Sequence, residues 1–280
     1  MLQITQILAD SIAARARAHY EEIYPGQAPA PLEFALRVTQ AALSALGRSD
    51  ALYHNCEHTT HVTLVGLEVL KAKQQRERTL SPTQWANVIC ALLCHDVGYV
   101  RDLCQGDAGT RVVTGIPGEE PVDISGHSDA ALMPLHINRG KLYVQENFAD
   151  DPAADLDLLL ACMERTRFPV PDDPVYHLTD DLPGLVRGAD LIGQLSDPRY
   201  LQKLSAVFYE FEEIGFNAVT GYARPGDLLH AYPGFFNSSV EPYIDAAVAL
   251  LEHTDEGRDV LKHLFGNLDH AKAALATSAS

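Results

Sequence analysis

The feature that constrains this fold most is the apolar stretch at residues 82–96, which has the periodicity of a helix. Ser81 suits the N-cap, Pro82 suits the first turn, and Gln84 completes a capping-box pattern. Large apolar side chains then surround most of the helix axis, at Trp85, Val88, Ile89, Leu92 and Leu93. A helix that is apolar on nearly every side has to lie at the centre of a core, so other elements must cover it.

The remaining elements are also predicted to be helical, because strand signals are weak along the whole chain. Two amphipathic helices are expected at residues 2–22 and 31–46, and a third at 57–75. Further helices are expected at about 126–147, 153–166, 184–195, 198–214, 238–253 and 256–275. The pattern predicts an all-α protein.

Two irregular segments interrupt this pattern. Residues 101–125 contain four glycines and two prolines, which indicates a long irregular insertion, and the loop at 168–183 contains four prolines. Neither segment has the composition of a linker between domains. We therefore expect a single helical domain over residues 1–280, with a core at about 50–255 against which helices at 1–46 and 256–275 pack.

The composition limits the classes of partner. The 280 residues include 21 basic and 38 acidic side chains, and the formal net charge is −17. Such an excess of negative charge disfavours nucleic acid and anionic membrane surfaces as partners. Residues 1–17 lack the apolar core of a signal peptide, and the five cysteines form no CxxC pair, so we expect a cytoplasmic protein with buried thiols rather than a thiolate zinc site. A homo-oligomer remains an open alternative.

Histidines and carboxylates fall in three short motifs. His54 and His58 are spaced i,i+4, so a helical course would put them on one face, with His61 further along it. His95-Asp96 ends the apolar helix, where an unpaired carboxylate would carry a large desolvation cost that a divalent cation would remove. The alternatives are an exposed polar face for the histidines and a helix end that reaches solvent for His95-Asp96.

Asp190 is the third motif, and it lies in the short apolar helix at 184–195. It is either a cation ligand or a structural carboxylate paired with Arg187. The order His … His-Asp … Asp on separate helices resembles the HD-domain superfamily of metal-dependent phosphohydrolases. The resemblance implies an HD-type helical fold with a metal site between the central helices.

The resemblance is sharpest to the cyclic nucleotide phosphodiesterase branch of that superfamily. The branch carries a Tyr-His-Asn-x-x-His signature, which residues 53–58 match. It also carries a Gly-Phe motif that leads into a Val-x-Pro helix, which residues 234–242 resemble, and a threonine on an intervening helix, which Thr166 matches. The similarity therefore extends over about residues 53–250.

The resemblance implies a role for each matched residue. His58, His95, Asp96 and Asp190 would hold a first cation, which zinc, iron or manganese would suit, and Asp96 would bridge to a second, magnesium or manganese. His54 would protonate the leaving oxygen, so that His54 and Asp96 are the catalytic residues. The substrate would be a small nucleotide-like or organic phosphate ester. Its contacts are expected from Phe235, Tyr232, Tyr53, Asn55 and Tyr99.

The sequence also departs from the branch. Tyr232 stands where the branch has a purine-binding glutamine, so purine specificity is open. His61 replaces an aspartate, and Tyr99 replaces a histidine. His127 lies in a segment that resembles HD proteins with extra histidine ligands, so it is a further candidate ligand.

Two alternative functions follow from these departures. A ligating His127 would bring the site closer to the HD-type di-iron oxygenases, which usually supply a further histidine on the next helix, where this chain has Glu164, Arg165 and Thr166. A non-catalytic nucleotide-binding sensor is the other alternative, although its hallmark would be broken metal ligands. The remaining histidines, including His136, have no clear spacing and are expected at the surface or in packing, and Glu210 is expected on a solvated face.

Overall fold

The structure is a computed structural model that describes residues 4–278, and it is built almost entirely from helices, so the all-α prediction is confirmed. The helices are α1 (Ile4–Ile23), α2 (Ala30–Leu46), α3 (Cys56–Glu77), α4 (Pro82–Cys94), α5 (His136–Phe148), α6 (Leu156–Arg165), α7 (Leu182–Leu195), α8 (Tyr200–Glu213), α9 (Phe216–Thr220), α10 (Pro225–Phe235), α11 (Asp245–Leu251) and α12 (Asp255–Ser278). Within residues 4–278, no helix combines the length and the apolar character that crossing a bilayer requires.

Helix α4 lies at the centre of the core, as its apolar circumference predicts. Ser81 and Gln84 form the predicted capping box, in which each side chain accepts a hydrogen bond from the backbone N–H of the other. Every side chain from Trp85 to Cys94 is buried, and α2, α3, α6 and α7 pack around the helix. The residues that follow α4 therefore emerge in the middle of the protein.

Two glycines bring α3 close to its neighbours. A Cβ atom at Gly193 on α7 would lie 2.6 Å from the Cα atom of Val62 on α3, and one at Gly66 would lie 2.1 Å from the Leu92 side chain on α4. Only glycine permits approaches this close without a shift of the backbone or of the packed side chain. The close contact of α3, α4 and α7 is what lets side chains from all three meet.

Prolines divide two of the predicted helices. The helix predicted at 126–147 is instead a short 3₁₀ turn at Asp129–Leu132 followed by α5, because Pro134 has no N–H to donate. The helix predicted at 238–253 is a π turn at Phe236–Val240, a 3₁₀ turn that contains Pro242, and then α11. Helices α9 and α10 lie in a region for which the sequence analysis predicts no helix.

The segment at residues 101–125 is irregular, as predicted, apart from a small antiparallel pair of strands, β1 (Arg111–Val112) and β2 (Val122–Asp123). Arg139 on α5 binds this segment through its guanidinium group, and its side chain is fully buried. Its two terminal nitrogens each lie 2.9 Å from a carboxylate oxygen of Asp107. The guanidinium also donates to the backbone carbonyls of Gly98, Val100 and Val113.

Candidate metal centre

Four side chains from α3, α7 and the end of α4 converge on one point. The Nε2 atom of His58 lies 3.2 Å from Oδ2 of Asp96 and 3.7 Å from Oδ1 of Asp190. The Nε2 atom of His95 lies 3.1 and 3.5 Å from the same two oxygens and 3.4 Å from Nε2 of His58. Ligand atoms about 2.1 Å from one ion in a tetrahedral site are about 3.4 Å apart, so these separations fit a shared cation.

The protonation of these groups also fits a cation. Nδ1 of His95 donates to the Leu92 carbonyl at 2.7 Å, so Nε2 is the nitrogen that can bind a cation once it has lost its proton. Oδ2 of Asp96 is buried with no hydrogen-bond donor among residues 4–278, although two imidazole nitrogens lie close to it. Burial by itself would raise the pKa of Asp96, but His95 and His58 outweigh burial and hold that pKa well below its usual range. The nitrogen and oxygen donors match a divalent transition metal.

His54 lies in the turn before α3 rather than on the helix, because α3 begins at Cys56. Its position is fixed by Glu210 on α8, whose Oε1 accepts from the backbone N–H groups of Tyr53 and His54 at 2.6 and 3.1 Å. The ring Nδ1 of His54 lies 2.5 Å from Oε2 of the same carboxylate. One buried carboxylate thus orients both the turn and the imidazole.

Glu210 also sets the charge of His54. Burial would lower the pKa of the imidazole, but the charge and hydrogen bond of Glu210 raise it to about 9. The ring is therefore protonated at neutral pH, with Nδ1 engaged by the carboxylate. Since His54 lines the same cavity as the four converging side chains, its Nε2 is the nitrogen available to a ligand.

Tyr99 and His136 complete this side of the cavity. The Tyr99 ring stacks on His54 with centroids 4.8 Å apart, and its centroid lies 4.6 Å from that of His136. Nδ1 of His136 donates to the Met133 carbonyl, and Nε2 lies 3.8 Å from Oδ1 of Asp96. Burial lowers the pKa of His136 to about 4, so this ring is neutral. His136 thus presents a lone pair towards the second oxygen of Asp96.

The cavity above these residues has a volume of about 140 Å³. Its polar wall includes Thr166, Arg187 and Gln194, and its apolar wall includes Phe168 and Phe235. Phe168, Gln194 and Phe235 also line a neighbouring apolar chamber of about 120 Å³. Tyr232 closes that chamber, and its buried hydroxyl has no partner in the described part of the chain. Tyr232 and Phe235, two of the expected substrate contacts, therefore line the same chamber, and Phe235 also lines the cavity beside the ligand cluster.

The structure places three predicted site residues elsewhere. Asn55 caps α3, where its side chain accepts from the N–H groups of Glu57 and His58, so it positions a ligand rather than lining the cavity. Tyr53 is buried against the rings of His54 and His58 and does not line the cavity. His127 is exposed in the segment before α5, and its backbone N–H donates to Glu213, so the histidine that approaches Asp96 is His136 instead.

His61 does not join the cavity either. It turns to the other side of α3, where its ring nitrogen lies close to carboxylate oxygens of Glu57 and Asp197. Both carboxylates are already neutralised, since Lys203 contacts each of them and Arg199 also binds Glu57. This second cluster is an ion-pair network on the protein surface.

Sequence reasoning missed Glu210 and His136. Glu210 was expected to be solvated and is 1% exposed, so that expectation was wrong. Its role depends on contacts with Tyr53 and His54, which lie far away in the chain, and no local pattern in the sequence indicates them. His136 was expected at the surface or in packing, and no spacing signal identifies it, because Pro134 interrupts the periodicity just before it.

The chain belongs to the Npun_R2479-like family, whose model matches residues 2–273. Comparison with curated proteins found no match, and comparison with solved structures found none. The assignment of roles to individual residues therefore rests on the geometry of the cavity.

Proposed function

We propose that this protein is a metal-dependent hydrolase of small phosphate esters, most similar in chemistry to a phosphodiesterase. The observation that carries the proposal is the convergence of His58, His95, Asp96 and Asp190 beside a cavity that the His54 ring also lines. A divalent cation held there would supply Lewis acidity to a phosphoryl group and would lower the pKa of water. The sequence resemblance to HD-domain phosphodiesterases supports the same assignment.

His54 acts as the general acid in this proposal. Glu210 holds Nδ1 and keeps the ring protonated, and Tyr99 fixes the plane of the ring by stacking. Hydroxide, formed when water gives up a proton to solvent, bonds to phosphorus as the P–O bond to the leaving group breaks, and the proton on Nε2 passes to the leaving oxygen. A positioned acid of this kind accelerates a reaction by about 10²–10⁴-fold.

A second cation would be held by Asp96 and His136. Oδ1 of Asp96 and Nε2 of His136 are 3.8 Å apart, a separation that one ion bound to both atoms would give. Asp96 would then help to hold both cations. The neutral ring of His136 suits this role, because only an unprotonated nitrogen can coordinate.

The position of His136 also favours a second candidate function, an HD-type di-iron oxygenase. An additional histidine beside Asp96 makes the donor set richer in nitrogen, which suits iron. The buried pair of His54 and Glu210 favours the hydrolase, because proton donation to a leaving oxygen gives that pair a chemical task. Iron content together with oxygen consumption, in the absence of ester hydrolysis, would favour the oxygenase.

The hydrolase is tested by metal analysis of the purified protein and by a panel of phosphate esters that includes cyclic nucleotides. We expect metal-dependent hydrolysis of at least one ester. His54→Gln should lower kcat by about 10²–10⁴-fold and leave the bound metal unchanged. His253→Gln, at an exposed histidine, is the matched control. Full activity of His54→Gln would contradict the role of His54, and tight ester binding without turnover would indicate a sensor.

A further inference from the structure

Arg187 is a buried cation in the wall of the metal cavity. It lies on α7 three residues before Asp190, on the same helix face, and both side chains line the cavity. Only 2% of Arg187 is exposed. An ion pair between Arg187 and Asp190 is one expectation from the sequence, but within residues 4–278 the structure gives Arg187 no ion pair with any carboxylate. A positive charge is thus buried here with no carboxylate of the described residues in direct contact.

The guanidinium group is held in place, but not all of its N–H groups have a hydrogen-bond acceptor. Its Nη2 donates to the Tyr176 carbonyl, and its Cζ lies 4.2 Å from the centroid of the Tyr243 ring. Nε and Nη1 are buried and have no hydrogen-bond partner among the residues described. Buried donors are nearly always paired in folded proteins, so two unpaired nitrogens on one charged group call for a partner that is not part of the chain.

Two other arginines, Arg139 and Arg167, have partners for their guanidinium nitrogens that Arg187 lacks. Every guanidinium nitrogen of Arg139 has an acceptor, including both oxygens of Asp107. Arg167 also lines the cavity, but Glu164 binds its Nε and Nη2. Burial, with Arg165 nearby, lowers the pKa of Arg187 to about 10, so it still carries its charge at neutral pH. A buried charge without a partner destabilises the folded protein. A ligand of opposite charge would offset this cost when it binds.

We propose that Arg187 is an anion-binding residue of the cavity and that it takes an oxyanion of the ligand, a phosphate or carboxylate oxygen. Guanidinium groups suit these anions because their N–H donors match the geometry of the oxygens. The inference rests on the proposed function and deepens it by naming the residue that binds the anionic group of the substrate. The oxyanion is either the phosphoryl group that is hydrolysed or a second charged group of the same molecule.

The test uses inorganic phosphate as the probe, the full chain, and titration calorimetry in metal-free and Mn²⁺-loaded forms. We expect phosphate binding that Arg187→Met weakens by roughly tenfold to a hundredfold. Arg187→Lys should retain part of the affinity, because it keeps the charge although it loses the planar group. Arg199→Met, which removes an exposed arginine, is the control for loss of charge and should bind phosphate like the wild type.

The two forms separate the two sources of the oxyanion. If Arg187→Met weakens phosphate binding in both forms, Arg187 binds an anionic group that does not contact the cation. If it weakens binding only in the Mn²⁺-loaded form, Arg187 and the cation bind the same phosphoryl group. If Arg187→Met binds phosphate like the wild type in both forms, the inference is wrong. It is also wrong if Arg187→Lys binds as weakly as Arg187→Met, since a packing role would then explain both losses.

A second measurement covers the case in which Arg187→Met does not fold. In the wild type labelled with ¹⁵N-arginine, the Nε–H resonance of Arg187, assigned with Arg187→Lys, should shift as phosphate is added. An unchanged resonance would overturn the inference. Absence of bound metal or of ester hydrolysis would count against the proposed function, whereas the metal-free titration tests Arg187 independently of both.

Discussion

Among single residues, Glu210 has the largest effect on the chemistry that His54 can perform. Its carboxylate is buried, accepts hydrogen bonds from the consecutive backbone N–H groups of Tyr53 and His54, and contacts Nδ1 of the imidazole. Without this charge, burial would lower the pKa of His54 against only the remaining charges of Asp96 and Asp190, so much less of the ring would be protonated at physiological pH. A neutral ring at this position could not serve as a general acid.

Glu210→Gln should therefore move the pH dependence of catalysis. In the wild type, activity that needs protonated His54 is expected to fall as the pH rises through about 9, the pKa of His54. In Glu210→Gln this fall should occur at a lower pH, because the largest contribution that raises the pKa of His54 is gone. NMR titration of the histidine ring protons measures the same shift without a substrate. Glu213→Gln, also on α8, is the control, and an unchanged profile in Glu210→Gln would contradict the pairing.

The same pair should make stability depend on pH. The folded-state pKa of His54 is raised above 6.5, so its stabilising contribution is complete below pH 6.5 and is lost as the pH rises through about 9. The pKa of Glu210, which burial would raise, is held below 4.5 by His54, so the contribution of Glu210 is lost in acid. The difference in unfolding free energy between wild type and Glu210→Gln, measured in urea, should be larger at about pH 6 than at about pH 10. Equal differences at the two values would contradict this account.

The candidate ligands could be chosen from the sequence, whereas their partners could not. His95 and Asp96 stand out because a buried carboxylate at the end of an apolar helix needs a partner, and the resemblance to HD-domain proteins adds His58 and Asp190. Glu210 and His136 act through tertiary contacts that join segments far apart in the chain, and such contacts leave no local spacing pattern. For the same reason, the sequence could not show that Arg187 and Asp190 do not form an ion pair with each other.

Among the structural elements, the contact of α3 with α7 controls the distance between His58 and Asp190. Gly193→Ala would place a Cβ atom 2.6 Å from the Val62 backbone and push the two helices apart. We expect a lower melting temperature and weaker metal binding, measured by thermal unfolding and calorimetry. Gly266→Ala on α12 has open space around it and should be neutral or stabilising by up to about 1 kcal/mol. If Gly193→Ala binds metal like the wild type, the contact does not set the site geometry.

The segment at residues 101–125 should depend on one buried ion pair. Arg139→Met removes the cation and leaves Asp107 charged and buried, which should cost about 3–5 kcal/mol in unfolding free energy. The double variant Arg139→Met with Asp107→Asn should recover part of that loss. Urea unfolding measures both values, and limited proteolysis shows whether cleavage occurs within 101–125. A loss below about 1 kcal/mol would mean that the pair does not hold the segment.

Helix positions were predictable where the apolar pattern was long and uninterrupted. The capping box and the burial of α4 follow directly from residues 81–96. The predicted helices at 126–147 and 238–253 were wrong near Pro134 and Pro242, because a proline cannot donate a backbone hydrogen bond and divides the helix. Helix α10 was not predicted, because Pro233 lies inside it and no clear helical pattern marks it. The helix packs against α8 and α12.

For the whole molecule, the proposed cation is a cross-link. Its ligands lie at the end of α4, the central helix, and on α3 and α7, which pack against α4 and against each other. An ion that binds only the folded state stabilises it, by about 2.7 kcal/mol when its concentration is a hundred times its dissociation constant. Mn²⁺ or Zn²⁺ should therefore raise the melting temperature of the metal-free protein, and a chelator should reverse this. A melting temperature that does not respond to either ion would contradict this cross-link.

The most direct test is a calorimetric titration of metal-free wild type, His58→Ala and the exposed-site control His253→Ala with Zn²⁺ and Mn²⁺. We predict a tight site in the wild type and in His253→Ala, and a loss of affinity of roughly a hundredfold or more in His58→Ala. Binding should release protons, because Asp96 and Asp190 raise the pKa of His95 well above its usual range despite burial. Identical titrations for wild type and His58→Ala, or no binding by the wild type, would contradict the assignment of this cluster as a metal centre.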